Sequence, residues 1–190
     1  GLDVFIAAAK VGPTGHVHGV DMTKEMVMKA RHNAAAFRRR AGLGNVTFHH
    51  AQIEAIPLPD ASVDVVISNC VLNLSPDQAA VWREIARVLK PSGRVSISDI
   101  VLRRPLPESV KGLVEAYVGC IAGAQLLADI EGWVNAAGLQ GWRVEAKDDA
   151  FAGMMSSEDP LYRSILAALP PGVKPGDYAT SALLHAVKPR

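Results

Sequence analysis

The chain has 190 residues, 49% of them hydrophobic and 21% charged, which indicates one globular domain and excludes a disordered or fibrous protein. Lys and Arg number 20 against 19 Asp and Glu, and this near-neutral charge provides no overall field to attract nucleic acid or an acidic membrane. The two cysteines, Cys70 and Cys120, are too few for a secreted disulfide framework or an all-cysteine zinc site.

No run approaches the ~20 uninterrupted apolar residues of a membrane-spanning helix. The N-terminus also lacks the basic and apolar pattern of a signal peptide. We therefore expect a cytoplasmic protein without a membrane partner. The chain begins at Gly1 rather than at an initiating Met, which predicts a mature piece or a fragment.

Short β-rich runs alternate with longer helical stretches along the chain. Apolar periodicity and capping residues predict helices at 2–10, 23–40, 76–89, 107–117, 126–137 and 161–169. Runs rich in β-branched residues predict strands at 16–21, 46–50, 63–69, 94–102, 142–146 and 179–188. Ser75 with Pro76 is typical of a helix start, and Lys-Pro-Ser-Gly at 90–93 is typical of a turn. The alternation predicts a single α/β domain over residues 1–190, Rossmann-like, with a doubly wound, mostly parallel sheet and helices on both faces.

Ligands of such sheets bind beyond the carboxyl ends of the strands. The polar and apolar side chains at these ends are Asp21, Met22, Gln52, Ile53, Glu54, Asn69, Cys70 and Asp99. Asp21 can accept two hydrogen bonds from ribose hydroxyls, although with Thr23 it can equally cap the following helix. Met22 can pack on a flat adenine ring or simply fill the core. A side-chain acceptor near Ile53 can read an adenine amino group, whereas Glu54 can also be a solvated loop carboxylate.

The two cysteines have a structural alternative to any chemical role. Cys70 follows Asn69 at the end of a strand, where a lone cysteine is more often a buried small hydrophobe than a ligand. Cys120 can likewise be a buried small hydrophobe, but the glycines on both sides of it indicate a backbone whose shape is fitted to a neighbouring group.

The motifs taken together resemble those of the class I S-adenosylmethionine-dependent methyltransferases. They are an acid after the strand at 16–21, Gln-Ile-Glu-x-Ile-Pro at 52–57, Ile-Ser-Asn-Cys at 67–70 and Leu-Lys-Pro-x-Gly at 89–93. Ile-Ser-Asn-Cys-Val-Leu-Asn-Leu-Ser-Pro-Asp at 67–77 and Gly-Cys-Ile-Ala-Gly-Ala at 119–124 closely resemble the arsenite methyltransferases. This resemblance covers residues 1–140 and returns in the final strand.

The resemblance implies that S-adenosylmethionine is the cofactor. It places the adenosine and methionine parts against seven residues, Asp21, Met22, Gln52, Ile53, Glu54, Asn69 and Gly1. Cys70 and Cys120 would be the thiolates that bind trivalent arsenic, which is thiophilic and needs no general base because it has no proton to lose. The implied function is arsenite methylation in detoxification. Its implied partners are arsenite or its thiol conjugates and a thiol reductant such as glutathione or thioredoxin.

Two departures from the family pattern lie at the N-terminus. The family carries a strand and a loop of the form Asp-x-Gly-x-Gly-x-Gly before the segment matching Leu2, and only Gly1 of these is present. The family's further upstream cysteines are also not in this sequence. We expect residues 1–190 alone to be unstable or to bind cofactor poorly. The missing strand would bury about five side chains, each contributing about 1.5–3 kcal/mol to the stability of the fold. Their sum is comparable to the whole stability of a domain, about 5–15 kcal/mol.

Two alternative functions remain open from the sequence. The first is a class I methyltransferase that acts on a carbon, nitrogen or oxygen atom of a small molecule, with the cysteines as core packing. The second is a fragment without catalytic activity that binds a thiophilic metalloid.

Overall fold

A computed structural model describes residues 1–117, 123–147 and 160–190 of the chain. Its helices are α1 Leu2–Val11, α2 Lys24–Ala41, α3 Gln78–Val88, α4 Glu108–Tyr117, α5 Leu127–Ala136 and α6 Pro160–Ala168. Its strands are β1 Val17–Asp21, β2 Val46–His50, β3 Val63–Asn69, β4 Leu89–Leu102, β5 Gln140–Lys147 and β6 Ala179–Val187. Each helix and strand predicted from the sequence is present, which confirms the alternating α/β pattern. No helix in these described ranges is long and apolar enough to cross a membrane.

The chain divides into two compact units, Gly1–Leu58 and Pro59–Arg190, called here the first and second unit. In the first unit β1 and β2 pair in parallel, from Val17 opposite Val46 to Asp21 opposite His50. Their core forms around Phe48, which packs with buried residues of α2 and partly buried residues of α1. Val4 and Phe5 of α1 and Val27 and Ala30 of α2 therefore pack on the face of this strand pair from which Phe48 projects.

Gly19 makes the packing of the first unit possible. A Cβ built on Gly19 would lie 2.7 Å from the Phe48 ring and 2.9 Å from a methyl group of Val4. Both contacts are well inside van der Waals distance, so only glycine lets β1 approach the Phe48 ring and α1 this closely.

The second unit contains a four-stranded sheet in the order β3-β4-β6-β5. β3 and β4 are parallel, whereas β6 is antiparallel to both of its neighbours. The parallel pairing predicted from the sequence is thus found for β1–β2 and β3–β4, and the C-terminal part of the sheet is antiparallel. The core on this sheet is fully buried and includes Trp82, Leu89, Ile97, Leu139 and Leu184.

Helix α3 packs through a regular apolar stripe. Val81, Trp82, Ile85 and Val88 are buried, at the spacing that puts them on one side of a helix. Because α3 runs between the end of β3 and the start of β4, this stripe holds the connection of the two parallel strands against the core. The polar residue Gln78 at its first position is also buried, which bears on the site described below.

The structure corrects two local predictions. Helix α3 is capped by Asp77, whose side chain accepts a hydrogen bond from Ala80 N at 2.9 Å, and not by Ser75. The run at 90–93 is part of β4 instead of a turn before it. Ser92 takes a left-handed φ of 64° there, and its N–H donates to Lys188 O at 2.9 Å, so the kinked backbone stays paired with the chain beside it.

Candidate functional site

The carboxyl ends of β1 and β2 lie side by side in the first unit. Asp21 is the partner of His50 in the strand register, and Ala51 N donates to Asp21 O at 3.1 Å. The segments that follow, beginning at Met22 and at Gln52, therefore leave the sheet at the same edge. The structure brings these predicted cofactor residues together, as expected for the ends of parallel strands.

Asp21 is exposed and takes part in the start of α2. Its Oδ1 accepts a hydrogen bond from Thr23 N at 2.8 Å, while Thr23 itself makes no side-chain capping bond. Asp21 thus holds the turn that leads into α2 and bonds to the N-cap residue Thr23, but neither side chain caps a helical N–H group. A carboxylate offers about four acceptor sites, so one bond to a backbone N–H leaves capacity for the two hydroxyls of a ribose.

Met22 is 58% exposed, which excludes the core-filling role considered from the sequence. Its carbonyl lies 3.0 Å from His50 Nε2, a contact that ties the residue to the end of β2. Gln52 is exposed, and its carbonyl accepts a hydrogen bond from Ala55 N at 3.2 Å. The first contact joins the ends of β1 and β2, and the second closes a short turn after β2.

Ile53 and Glu54 are half-buried, so neither is a freely solvated loop residue. An apolar side chain beside a carboxylate provides a flat contact surface and an acceptor, the two requirements for binding an adenine ring. Their roles, like that of Gln52, stay predictions.

Gly1 precedes α1, and Phe5 N donates to its carbonyl at 3.3 Å. A Cβ on Gly1 would lie 3.1 Å from Ala30 Cβ and 3.3 Å from the Phe48 ring. Close packing against the core is thus a sufficient reason for glycine at this position. Its predicted place in a cofactor-binding loop stays a prediction.

Cys70 occupies a strained position at the carboxyl end of β3 in the second unit. Its φ is 53°, in the left-handed region that residues with a Cβ rarely adopt, and its N–H donates to Ser98 O at 2.8 Å on β4. The residue is exposed, which excludes the buried small hydrophobe that the sequence favoured for a lone cysteine. Backbone strain that places a reactive side chain in solvent is typical of functional sites. Asn69 Oδ1 is 3.8 Å from the Cys70 sulfur and accepts from it.

Asp99 lies in β4 and is 2% exposed. Its carboxylate accepts hydrogen bonds from Ile100 N at 2.9 Å and from Asn73 N at 3.4 Å. Burial raises the pKa of the Asp99 carboxyl above its ordinary value, and the backbone N–H groups around it, those of Ile100 and Asn73 first, oppose the rise. From the sequence Asp99 was a candidate ligand contact at the end of a strand. In the structure it lies inside β4, and its buried side chain binds backbone N–H groups.

Asn73 and Gln78 were missed by the sequence reasoning. Each is 5% exposed, an unusual position for an amide, and both hydrogen-bond within the second unit. The signal available in the sequence was a pair of amides five positions apart, one in the Asn-Leu-Ser-Pro run and one opening an apolar helix.

Cys120 lies outside the described residues, so its predicted pairing with Cys70 stays a prediction. Within residues 1–117, 123–147 and 160–190, no group of three or more His, Cys, Asp or Glu side chains is arranged to hold a metal ion. That result does not bear on a site built from Cys70 and Cys120.

Comparison with known proteins places the chain among methyltransferases. A family model described as a methyltransferase domain matches residues 1–153. The arsenite methyltransferase of Halobacterium salinarum is 39% identical across the whole chain, which covers 44% of that protein. The arsenite methyltransferase of Aquipseudomonas alcaligenes is 40% identical over 69% of the chain and 39% of that protein. The chain therefore spans less than half the length of these curated relatives.

A solved structure shows the same architecture. The crystal structure of an arsenic(III) S-adenosylmethionine methyltransferase from Chlamydomonas reinhardtii aligns with a TM-score of 0.77 and 32% identity. The alignment covers 98% of this chain and 59% of that one. The α/β fold predicted from the sequence is confirmed by this match.

Proposed function

This chain belongs to the methyltransferase-domain family, and we propose that it methylates trivalent arsenic held by Cys70 and Cys120, with S-adenosylmethionine as the methyl donor. The observation that supports the proposal most directly is Cys70, an exposed thiol on a left-handed backbone at the end of a parallel strand. The similarity to arsenite methyltransferases over the whole chain supports the same substrate.

The residues after β1 and β2 fit the adenosine part of the cofactor. Asp21 offers carboxylate acceptors for a diol, and Met22 offers an exposed apolar surface for a ring. Gln52, Ile53 and Glu54 would complete the adenine contacts. When bound, S-adenosylmethionine supplies an electrophilic methyl group on a positively charged sulfur. Roles for Gly1 and Asn69 at the methionine part are part of this proposal.

The cysteines would hold the substrate. Trivalent arsenic is soft, and thiolate is the softest ligand that a protein side chain provides. Two thiolates from Cys70 and Cys120 leave the arsenic lone pair unshared, so arsenic itself is the nucleophile and no residue is needed as a general base. The contribution of the protein is then proximity and alignment of the reacting atoms.

We also propose that residues 1–190 act as one methyltransferase domain that a further parallel strand completes. The described part of the second unit gives β3 one neighbouring strand, β4, and Val65 and Ile67 on β3 are 37% and 52% exposed. The other edge of β3 therefore offers backbone N–H and C=O groups with which a further strand can pair, and the exposed Val65 and Ile67 leave one face of β3 to be covered. A version extended by the preceding strand and glycine-rich loop should unfold at higher urea and bind S-adenosylmethionine more tightly. Equal midpoints and equal affinities would contradict this proposal.

We further propose a cytoplasmic location, arsenite or its thiol conjugates as substrate, and glutathione or thioredoxin as the reductant that keeps both thiols reduced. The net charge of +1 agrees with a small-molecule substrate and not with nucleic acid.

The test is a pair of variants, Cys70→Ser and Cys120→Ser, compared with a surface control, Thr14→Ser. The affinity for S-adenosylmethionine is measured by isothermal titration, and methylated arsenic is quantified by chromatography coupled to elemental mass spectrometry. Each cysteine variant should lose at least 100-fold in arsenic methylation while the cofactor affinity stays within two-fold of wild type. The control should match wild type in both measurements.

Two results would favour the alternative functions. Turnover of an organic acceptor that is unchanged in both cysteine variants would indicate a methyltransferase for small carbon, nitrogen or oxygen acceptors. Arsenite binding by a chain with no affinity for S-adenosylmethionine would indicate a metalloid-binding fragment without catalysis.

A further inference from the structure

The second unit contains a cluster of buried polar side chains next to Cys70. Asp99 is 2% exposed, and Asn73 and Gln78 are 5% exposed. They line a small cavity whose other walls are apolar and include Trp82, Ile97 and Leu184. Burying amides and a carboxyl among such residues is costly unless each is hydrogen-bonded. The bonds they make therefore indicate what this cluster holds in place.

Asp99 fixes the turn that follows Cys70. Its carboxylate accepts a hydrogen bond from Asn73 N at 3.4 Å, in the middle of the short 3₁₀ turn Leu72–Leu74. In return Asn73 Nδ2 donates to Ile100 O at 2.7 Å on β4. The backbone just after the strained cysteine is thus bound to β4 through both of these side chains.

Gln78 joins this turn to a second segment. Its Nε2 donates to Asn73 Oδ1 at 3.2 Å and to Gly123 O at 3.0 Å. A Cβ on Gly123 would overlap the carbonyl oxygen of Asn73, so the two backbones are in direct contact and only glycine fits. Gln125 Nε2 donates to the same Gly123 carbonyl at 3.2 Å.

The contact joins points equally spaced from the two cysteines. Asn73 is three residues after Cys70, and Gly123 is three residues after Cys120. Three residues of extended chain span at most about 11 Å. Cys70 therefore lies within about 11 Å of the contact between Asn73 and Gly123.

We propose that Asp99, Asn73 and Gln78 are positioning residues for arsenic binding: they hold the turn after Cys70 against β4 and Gly123, and so fix the place at which the Cys70 thiol meets arsenic. This rests on the proposed function. The three residues touch neither substrate nor cofactor, and they act through the backbone that carries the ligands. Residues that orient the ligands of a metal in this way typically contribute 10–100-fold to its affinity.

The test uses variants that break the tie without removing a ligand. Gln78→Met keeps the volume of the side chain but removes both donated hydrogen bonds, and Gly123→Ala forces the two backbones apart while keeping every hydrogen-bonding group. Gln140→Met, at an exposed position of β5, is the matched control. Arsenite affinity is measured by equilibrium dialysis, S-adenosylmethionine affinity by titration, and the Cys70 thiol by its rate of alkylation with iodoacetamide.

Both variants should bind arsenite about 10–100-fold more weakly, with cofactor affinity and single-thiol alkylation rate within two-fold of wild type. A general structural defect would change all three readouts. Should Gln78→Met fail to fold, Gly123→Ala carries the test. Wild-type affinity for arsenite in the folded variants would overturn the positioning role and leave the proposed function standing. A wild-type chain that bound no arsenite would overturn the proposed function first.

Discussion

Replacing Cys70 with glycine is expected to stabilise the second unit while abolishing arsenic binding. Cys70 has a φ of 53°, where a residue with a Cβ crowds the following carbonyl oxygen and glycine does not. Its side chain is exposed, so removing the thiol opens no cavity in the core. Replacing Cys70 with glycine should therefore raise the free energy of unfolding, because it relieves the backbone strain that the cysteine imposes.

The size of the gain follows from two opposing effects. A left-handed conformation costs a residue other than glycine about 1–2 kcal/mol. The greater freedom of glycine in the unfolded chain offsets about 0.5–1 kcal/mol of this. The net gain is about 0.75 kcal/mol at the centres of the two ranges and about 1.5 kcal/mol at most. With a urea dependence of about 2 kcal/mol per molar, a gain of about 0.75 kcal/mol raises the unfolding midpoint by about 0.4 M urea.

The assay is urea unfolding followed by tryptophan fluorescence. All three tryptophans, Trp82, Trp133 and Trp142, belong to the second unit, so the signal reports on that unit. Ala61, in the same unit, has a φ of 48°, and Ala61→Gly is the matched control. It should gain similar stability without any change in arsenite affinity. Cys70→Val should be less stable than wild type, because a β-branched residue tolerates this backbone poorly.

One pattern of results would refute this reasoning. If Ala61→Gly gained stability and Cys70→Gly did not, the backbone at residue 70 would not be strained by its side chain. The inference that a thiol is retained there at a cost to stability would then fall, and with it the main structural support for an arsenic ligand.

Two further changes test the packing of each unit. Gly19→Ala should destabilise the first unit by about 1–3 kcal/mol, since the new methyl group meets Phe48 at 2.7 Å; amide hydrogen exchange across β1 and β2 measures this, and Gly44→Ala should have little effect. The raised pKa of Asp99 means that the folded state binds this proton more tightly than the unfolded chain, so its contribution to stability falls as pH rises from about 3.8 through the raised value and is constant above it. The unfolding free energy of Asp99→Asn should lack that slope with pH, so the wild-type and variant curves should not be parallel; parallel curves would contradict the burial of an ionisable group there.

Local patterns were sufficient to predict the helices and strands. The buried apolar stripe of α3 and the β-branched run of β3 are both patterns among residues that lie close together in the sequence. The errors occurred where a single hydrogen bond decided the boundary. Asp77 caps α3 because its carboxylate reaches Ala80 N, and Ser92 continues β4 because Lys188 O accepts its N–H. Lys188 is 96 positions away in the sequence, too far for any local pattern to register.

The same limit applied to the candidate site. The sequence alone indicated which residues follow the strands, because strand ends can be read from local composition, and the family resemblance of its motifs predicts binding roles for Asp21 and Cys70. It did not show that Cys70 is exposed on a left-handed backbone, since φ at one residue depends on the register of β3 with β4.

What the sequence determined by itself was the order of α/β elements, the family and the residue types at the strand ends. Only the tertiary structure decided that Asn73, Gln78 and Asp99 are buried together and that the backbone of Gly123 meets that of Asn73. The physical reason is that periodicity encodes which face of an element is apolar, whereas the partner of a buried polar group is chosen by packing between distant residues, such as Asn73 and Asp99, 26 positions apart, and Gln78 and Gly123, 45 positions apart.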